Sequence, residues 1–249
     1  MRLLPPLHQH FQLFRIKRYT HRDRVQAQVV AMEIIDAQVH IVDGESVHSP
    51  GAGTRTTMSR HVSIEQMLAA MRGVGVDAAL VTGQSSRGPD NSYLLRAARE
   101  YPDRFAAIGT IDFKRPDLEE QMRVWRGQDG MLGVRVVLIT DEQVKEFRCG
   151  SLNRLFAAAE RHAVPVFVYP PKLLRELAQS IESYPGTQFV IDHIGLPQPT
   201  PFADRDQQPF ERLPQLLELA RFDNVAVKIT GAPTLSTRAY PYEDLWPHL

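Results

Sequence analysis

The chain has 249 residues, of which 43% are apolar and 23% charged, a balance suited to a soluble globular protein with one large α/β domain or two small ones. Formal net charge is +0 and the pI is near 7.1, so no overall field argues for nucleic acid or an acidic membrane surface as partner. The single cysteine, Cys149, excludes an internal disulfide framework, and no uncharged apolar run reaches the roughly 18 residues of a membrane span, so the expected location is the cytoplasm.

In chain order, residues 1–31 come first and differ from the rest. They hold Arg2, Arg15, Lys17, Arg18, Arg22 and Arg24 against Asp23 alone, with Pro5 and Pro6 breaking the apolar pattern. The expectation is a basic, disordered extension, with Met32 as a natural start before a barrel domain over 32–249. Short runs rich in β-branched residues predict strands at 34–42, 76–82, 105–111, 132–138, 164–169, 187–193 and 224–230. Helical patterns lie between them. Ser63 and Gln66 form a capping box for a helix that stops at Gly73. Asp90 caps the next helix, which Pro102 ends, and Pro116 suits the first turn of the third. Ser151 caps "LNRLFAAAERH", and a last helix runs from Pro209 to Phe222.

Strand followed by helix, seven times, implies a parallel sheet. A doubly wound sheet and a (β/α)8 TIM barrel both satisfy this. Seven units over residues 32–249 average about 30 residues each, the spacing of a barrel of about 250 residues. The expected architecture is a TIM barrel lacking its eighth βα unit.

In such a sheet useful side chains gather at the carboxyl ends of the strands. Those ends carry Gln38 and His40, then Thr82 and Gln84, Arg135, Tyr169, Asp192 and His193, and finally Lys228 and Thr230. Each has a plainer reading. His40 suits a core histidine bonded to a backbone carbonyl. Asp192, alternating with His193, is expected to face the helices. Arg135 can neutralise the mouth or grip a carboxylate in a bidentate pair, and Lys228 can pair with an inward acid. Tyr169 can be packing, and Gln38 either a neutral donor or filler. "GQSSR" at 83–87 falls one glycine short of a nucleophile elbow, and Gly51 and Gly53 lack the third glycine of a dinucleotide loop.

The stretches "IIDAQVHIV", "DNSYLLRAAREYPDRFAAIGTID", "GVRVV", "FVIDHIGLP" and "NVAVKITG" together resemble the amidohydrolase-related family, the second amidohydrolase group, across nearly all of the chain after Met32. The resemblance implies a distorted (β/α)8 barrel that hydrolyses an ester, lactone or amide in a small, carboxylate-bearing compound. It also exposes departures. Where the family's first strand commonly offers His-x-His, this chain has Gln38 and His40; where the fifth strand often ends in His, it has Tyr169; and the sixth-strand His is matched by His193. The family's eighth strand supplies an Asp that acts as metal ligand or base, and the sequence to residue 249 contains no such strand.

A catalytic zinc takes three protein ligands, and His40 with His193 supplies two, so no metal is expected beyond a weakly held divalent ion such as zinc at that pair. The expected catalytic set is therefore His40, His193 and Arg135 polarising the substrate carbonyl, with Gln38, Gln84, Tyr169 and Lys228 binding substrate; the general base that activates water is expected to be the family's eighth-strand Asp, which this sequence does not contain. Two alternatives stand beside it: a metal-dependent decarboxylase of the same family, and a catalytically inactive truncated barrel. A homo-oligomer is also open, because a missing strand leaves two unpaired edges.

Overall fold

The computed structural model describes residues 33–43, 62–85, 88–199 and 208–249. The expectation for residues 1–31, the residues Gly51 and Gly53, and Ser86 and Arg87 of the near-elbow lie outside these. Seven strands form one parallel sheet in sequential order: β1 (Ile35–Val39), β2 (Ala78–Thr82), β3 (Phe105–Thr110), β4 (Met131–Val137), β5 (Val166–Tyr169), β6 (Phe189–Ile191) and β7 (Val225–Val227). Helices α1 (Ile64–Val74), α2 (Ser92–Glu100), α3 (Leu118–Trp125), α4 (Asp141–Arg148), α5 (Asn153–His162), α6 (Leu174–Ser183), α7 (Leu213–Leu217) and α8 (Ala232–Leu235) follow the strands, one after each except β4, which is followed by both α4 and α5. This is the βα order of a TIM barrel, with no eighth strand among the described residues.

Alternation along each strand sorts the apolar residues into two layers. The larger, between sheet and helices, holds Val81, Ala107, Val134, Val136, Val166, Val168, Phe189 and Ile191 against residues such as Leu68, Leu118, Phe156 and Leu177. The smaller fills the barrel interior: Leu80, Ala106, Ile108, Phe167 and Val190. Gly133 belongs to this inner layer, because a Cβ there would stand 2.6 Å from the Phe167 ring. The sheet curls almost shut. Lys228, just past β7, donates to Gln38 Oε1 on β1 at 2.8 Å, joining the first strand to the last across the interior.

Local signals explain some helix ends and not others: α5 has Leu152, not Ser151, at its cap position, with no side-chain cap bond. The Ser63–Gln66 capping box opens α1, which runs to Val74 with Gly75, not Gly73, as its left-handed cap at φ 75°. Asp90 does accept from the Ser92 N–H at 2.9 Å, but Asn91 occupies the cap position of α2. A second capping box, Thr140 with Gln143, starts α4. The long helix expected over 209–222 is shorter, with α7 followed by a 3-10 turn over Glu218–Arg221.

Candidate active site

The site grows from the short strand β6. Val190 points into the barrel, so Asp192, two residues on, points inward as well. It is 0% exposed, and each of its oxygens takes a cation: Arg135 Nε donates to Oδ2 at 2.8 Å and Lys228 Nζ to Oδ1 at 2.9 Å. The expectation that Asp192 faces the helices is corrected here. That reading extended the strand through residue 193 and made His193 the inward residue. In the structure the strand stops at Ile191, and His193 and Ile194 take left-handed backbone at φ 55° and 58°. This turn brings the His193 ring back over the mouth, edge-on to Tyr169 with centroids 4.9 Å apart.

β1 departs from strict alternation too. It carries an extra residue relative to β2 between Asp36 and Val39, so 36, 38 and 40 do not form one regular row. Asp36 instead accepts from the Gln38 N–H at 2.9 Å. Gln38 and His40 both join the site. His40 Nδ1 lies 2.7 Å from the Thr82 carbonyl, the plainer reading of this residue, and Arg135 Nη1 donates to the neighbouring Gly83 carbonyl at 3.1 Å. Since a carbonyl only accepts, His40 carries its proton on Nδ1 and leaves Nε2 as a lone pair.

The electrostatics follow from burial. Burial, with Arg135 second, lowers the His40 pKa to about 4, so the ring is neutral near pH 7. Burial lowers His193 as well, against the pull of Asp192. Burial would raise the Asp192 carboxyl, but the charges of Lys228 and Arg135 outweigh it and hold the group below its ordinary value. Lys228 is lowered by burial, offset in part by Asp192, and its ammonium stands 5.1 Å from the centre of the Phe167 ring. Two buried cations thus share one buried carboxylate. A cavity of about 200 Å³ opens beside Arg135 at the ends of β3 and β4, bordered by Ser85, Thr110, Asp112 and Leu138.

The residues singled out from sequence sort as follows. His40, His193, Arg135, Gln38 and Lys228 are brought together around Asp192. Tyr169 adjoins them, but its hydroxyl donates to the Leu196 carbonyl at 3.1 Å and accepts from the Gln198 N–H at 3.0 Å, which makes it a strut for the loop after β6. Burial pushes its pKa up to about 12. Gln84 is half-buried just past β2, next to Gly83. Sequence reasoning undervalued Asp192. Counting inward from Val190 instead of backward from His193 would have found it.

The donor set of the described residues does not fit a metal. Among the described residues no group of three or more His, Cys, Asp or Glu side chains is placed to hold one. Both Asp192 oxygens and Gln38 Oε1 face cations, and His193 Nε2 faces the Gln38 amide at 3.1 Å. A zinc at His40 and His193 would have to displace that amide and sit beside the Lys228 ammonium.

A family model described as amidohydrolase matches residues 35–249. The chain belongs to the amidohydrolase family. Its similarity runs to the lactonase-like members of that family, and as such it is a hydrolase. This amidohydrolase is 26% identical over 215 residues to the 4-sulfomuconolactone hydrolase of Hydrogenophaga intermedia, covering 85% of this chain and 67% of that protein. A protein of the same name from Rhizobium radiobacter is 26% identical over 219 residues, with 85% and 68% covered. The fold is shared with a probable 2-pyrone-4,6-dicarboxylic acid hydrolase from Acinetobacter baumannii solved with citric acid bound, at TM-score 0.64 and 21% identity over 84% of this chain and 74% of that one. It is shared more loosely with the 5-carboxyvanillate decarboxylase of Novosphingobium aromaticivorans in complex with manganese, at TM-score 0.54 and 15% identity over 80% and 74%.

Proposed function

We propose that this amidohydrolase opens the lactone ring of a small compound bearing a carboxylate or sulfonate. The observation that carries the reading is the buried group at the strand ends, in which Arg135 and Lys228 share the single carboxylate of Asp192 and retain a positive charge. Such a group suits an anionic substrate and the oxyanion that forms as water adds to its carbonyl. The curated relatives support the bond type, since both are named as hydrolases of a sulfonated lactone.

Polarising a carbonyl requires a donor, and a neutral imidazole with its proton committed to Thr82 is an acceptor at Nε2. The polarising groups are therefore Arg135 and Lys228. His40 serves as the base on this chain: Nε2 takes a proton from water as the water oxygen bonds to the carbonyl carbon. The ring C–O bond then breaks, the oxygen that leaves takes the proton from His40, and the product is a hydroxy acid whose carboxyl group, holding the other proton of the water, releases it to solvent.

The test is turnover of a panel of small anionic lactones by the purified 249-residue chain, followed as ring opening. Wild type is expected to open at least one member without added metal, and Arg135→Ala to lose about a hundredfold to a thousandfold in kcat/KM. Release of CO2 from an aromatic carboxylate that depends on added manganese, with no lactone opened, would favour the decarboxylase reading and defeat this one.

A further inference from the structure

His193 Nε2 is 3.1 Å from Gln38 Nε2, and Gln38 Oε1 is 2.8 Å from Lys228 Nζ. The polarity of this chain can be worked out without seeing a proton. An ammonium only donates, so the Gln38 atom beside Lys228 is the amide oxygen. The other end of the amide is then the NH2 group, which also only donates. His193 Nε2 must accept, and the ring proton must lie on Nδ1. The far side agrees: Nδ1 faces the Thr230 carbonyl at 3.3 Å and the Thr230 hydroxyl at 3.1 Å. An aromatic nitrogen has one lone pair, and here the Gln38 amide uses it.

We propose that His193 is a positioning residue and Lys228 the electrophile it positions. Asp192 and Gln38 hold two of the three ammonium protons, Gln38 is held in turn by His193, and His193 by Thr230. The third Lys228 N–H is the one that hydrogen-bonds to the substrate oxyanion, the proton staying on the ammonium. This accounts for glutamine at position 38: one side chain must accept from an ammonium and donate to an imidazole at the same time. Gly231 keeps the end of the relay open, because a Cβ there would stand 3.1 Å from His193 Nδ1 and 2.6 Å from Gln198 Oε1. The role assigned to Lys228 rests on the lactone-opening reading; the polarity of the relay does not.

Two experiments test it, one of them independent of substrate. In side-chain 15N NMR at neutral pH, His193 of the wild-type chain is expected as a neutral ring protonated at Nδ1, and Gln38→Glu, which puts a carboxylate against Nε2, is expected to protonate both nitrogens. A wild-type ring protonated at Nε2, or one unchanged in Gln38→Glu, overturns the relay. In the kinetic arm, on whichever lactone the wild type opens, His193→Gln offers an acceptor oxygen near the place of Nε2 but cannot serve as a base. It is expected to lose less than tenfold in kcat, while His193→Leu loses a hundredfold or more. Equal losses in two variants that melt like wild type overturn the positioning role and make His193 a base.

Discussion

Removing the shared carboxylate from the Arg135–Asp192–Lys228 group leaves two cations buried without compensation, which is more costly than never having had the group. Asp192→Asn strands two cations and is expected to cost about 3–5 kcal/mol, read as a lower urea midpoint, with activity lost as Arg135 and Lys228 move. His40 gives a separate, pH-dependent signal. Above pH 6.5 the imidazole is neutral in both the folded and the unfolded chain and adds no pH dependence. Between 6.5 and about 4 only the unfolded chain takes the proton, so its contribution to stability is lost as pH falls, by about 3 kcal/mol when complete. Comparing urea midpoints of wild type and His40→Gln at pH 7 and pH 4 isolates this; an equal acid loss in both would mean that His40 is not the group responsible. Activity that depends on neutral His40 is likewise expected to decline only as pH approaches about 4.

Strand ends are where sequence and structure part. All seven strands were legible as short apolar runs, most of them rich in β-branched residues, but the readings overran β1, β6 and β7 by two or three residues, to 42, 193 and 230 against Val39, Ile191 and Val227. Those overruns hold the chemistry. Apolar alternation continues through "FVIDHIG" although the backbone has already left the ladder, and nothing in the letters marks the left-handed turn at His193 and Ile194, two residues that rarely adopt it. The capping box at Thr140 was, by contrast, present in "TDEQ" and could have been read with the one at Ser63. The loop after β7 shows how tightly the elements are fitted around the site. Gly231 has φ 75°, and Gly231→Ala is expected to destabilise by at least about 1 kcal/mol from backbone alone, with more from the close approach to Gln198. His193 should then lose its Thr230 contact, so the His193 NMR signals of the variant should shift while those of His162, on α5, stay in place. Tyr169→Phe, which frees the Leu196 carbonyl and the Gln198 N–H, is expected to cost about 1–2 kcal/mol and to leave the His193 tautomer as it was.

For the whole molecule, the βα order and sequential topology followed from periodicity and length, because a parallel sheet with helices between neighbouring strands has few arrangements of this spacing. The convergence of Gln38 with Lys228, 190 residues away, did not follow, since it depends on how far the sheet curls. Curling draws the outer strands together without pairing them: among the described residues β1 bonds only β2, and β7 only β6. Both edges are apolar, with Ile35 37% exposed on β1 and Val227 41% and Ile229 60% exposed on and beside β7. Unpaired backbone groups next to exposed Ile and Val are a template for another chain. We expect the 249-residue protein to self-associate through these edges. Sedimentation velocity should give a boundary that moves faster as concentration rises, and Ile229→Lys, a charge placed where the side chain already meets water, should return it toward the monomer. A wild-type boundary that stays monomeric at every concentration would mean that these edges are covered within a single chain.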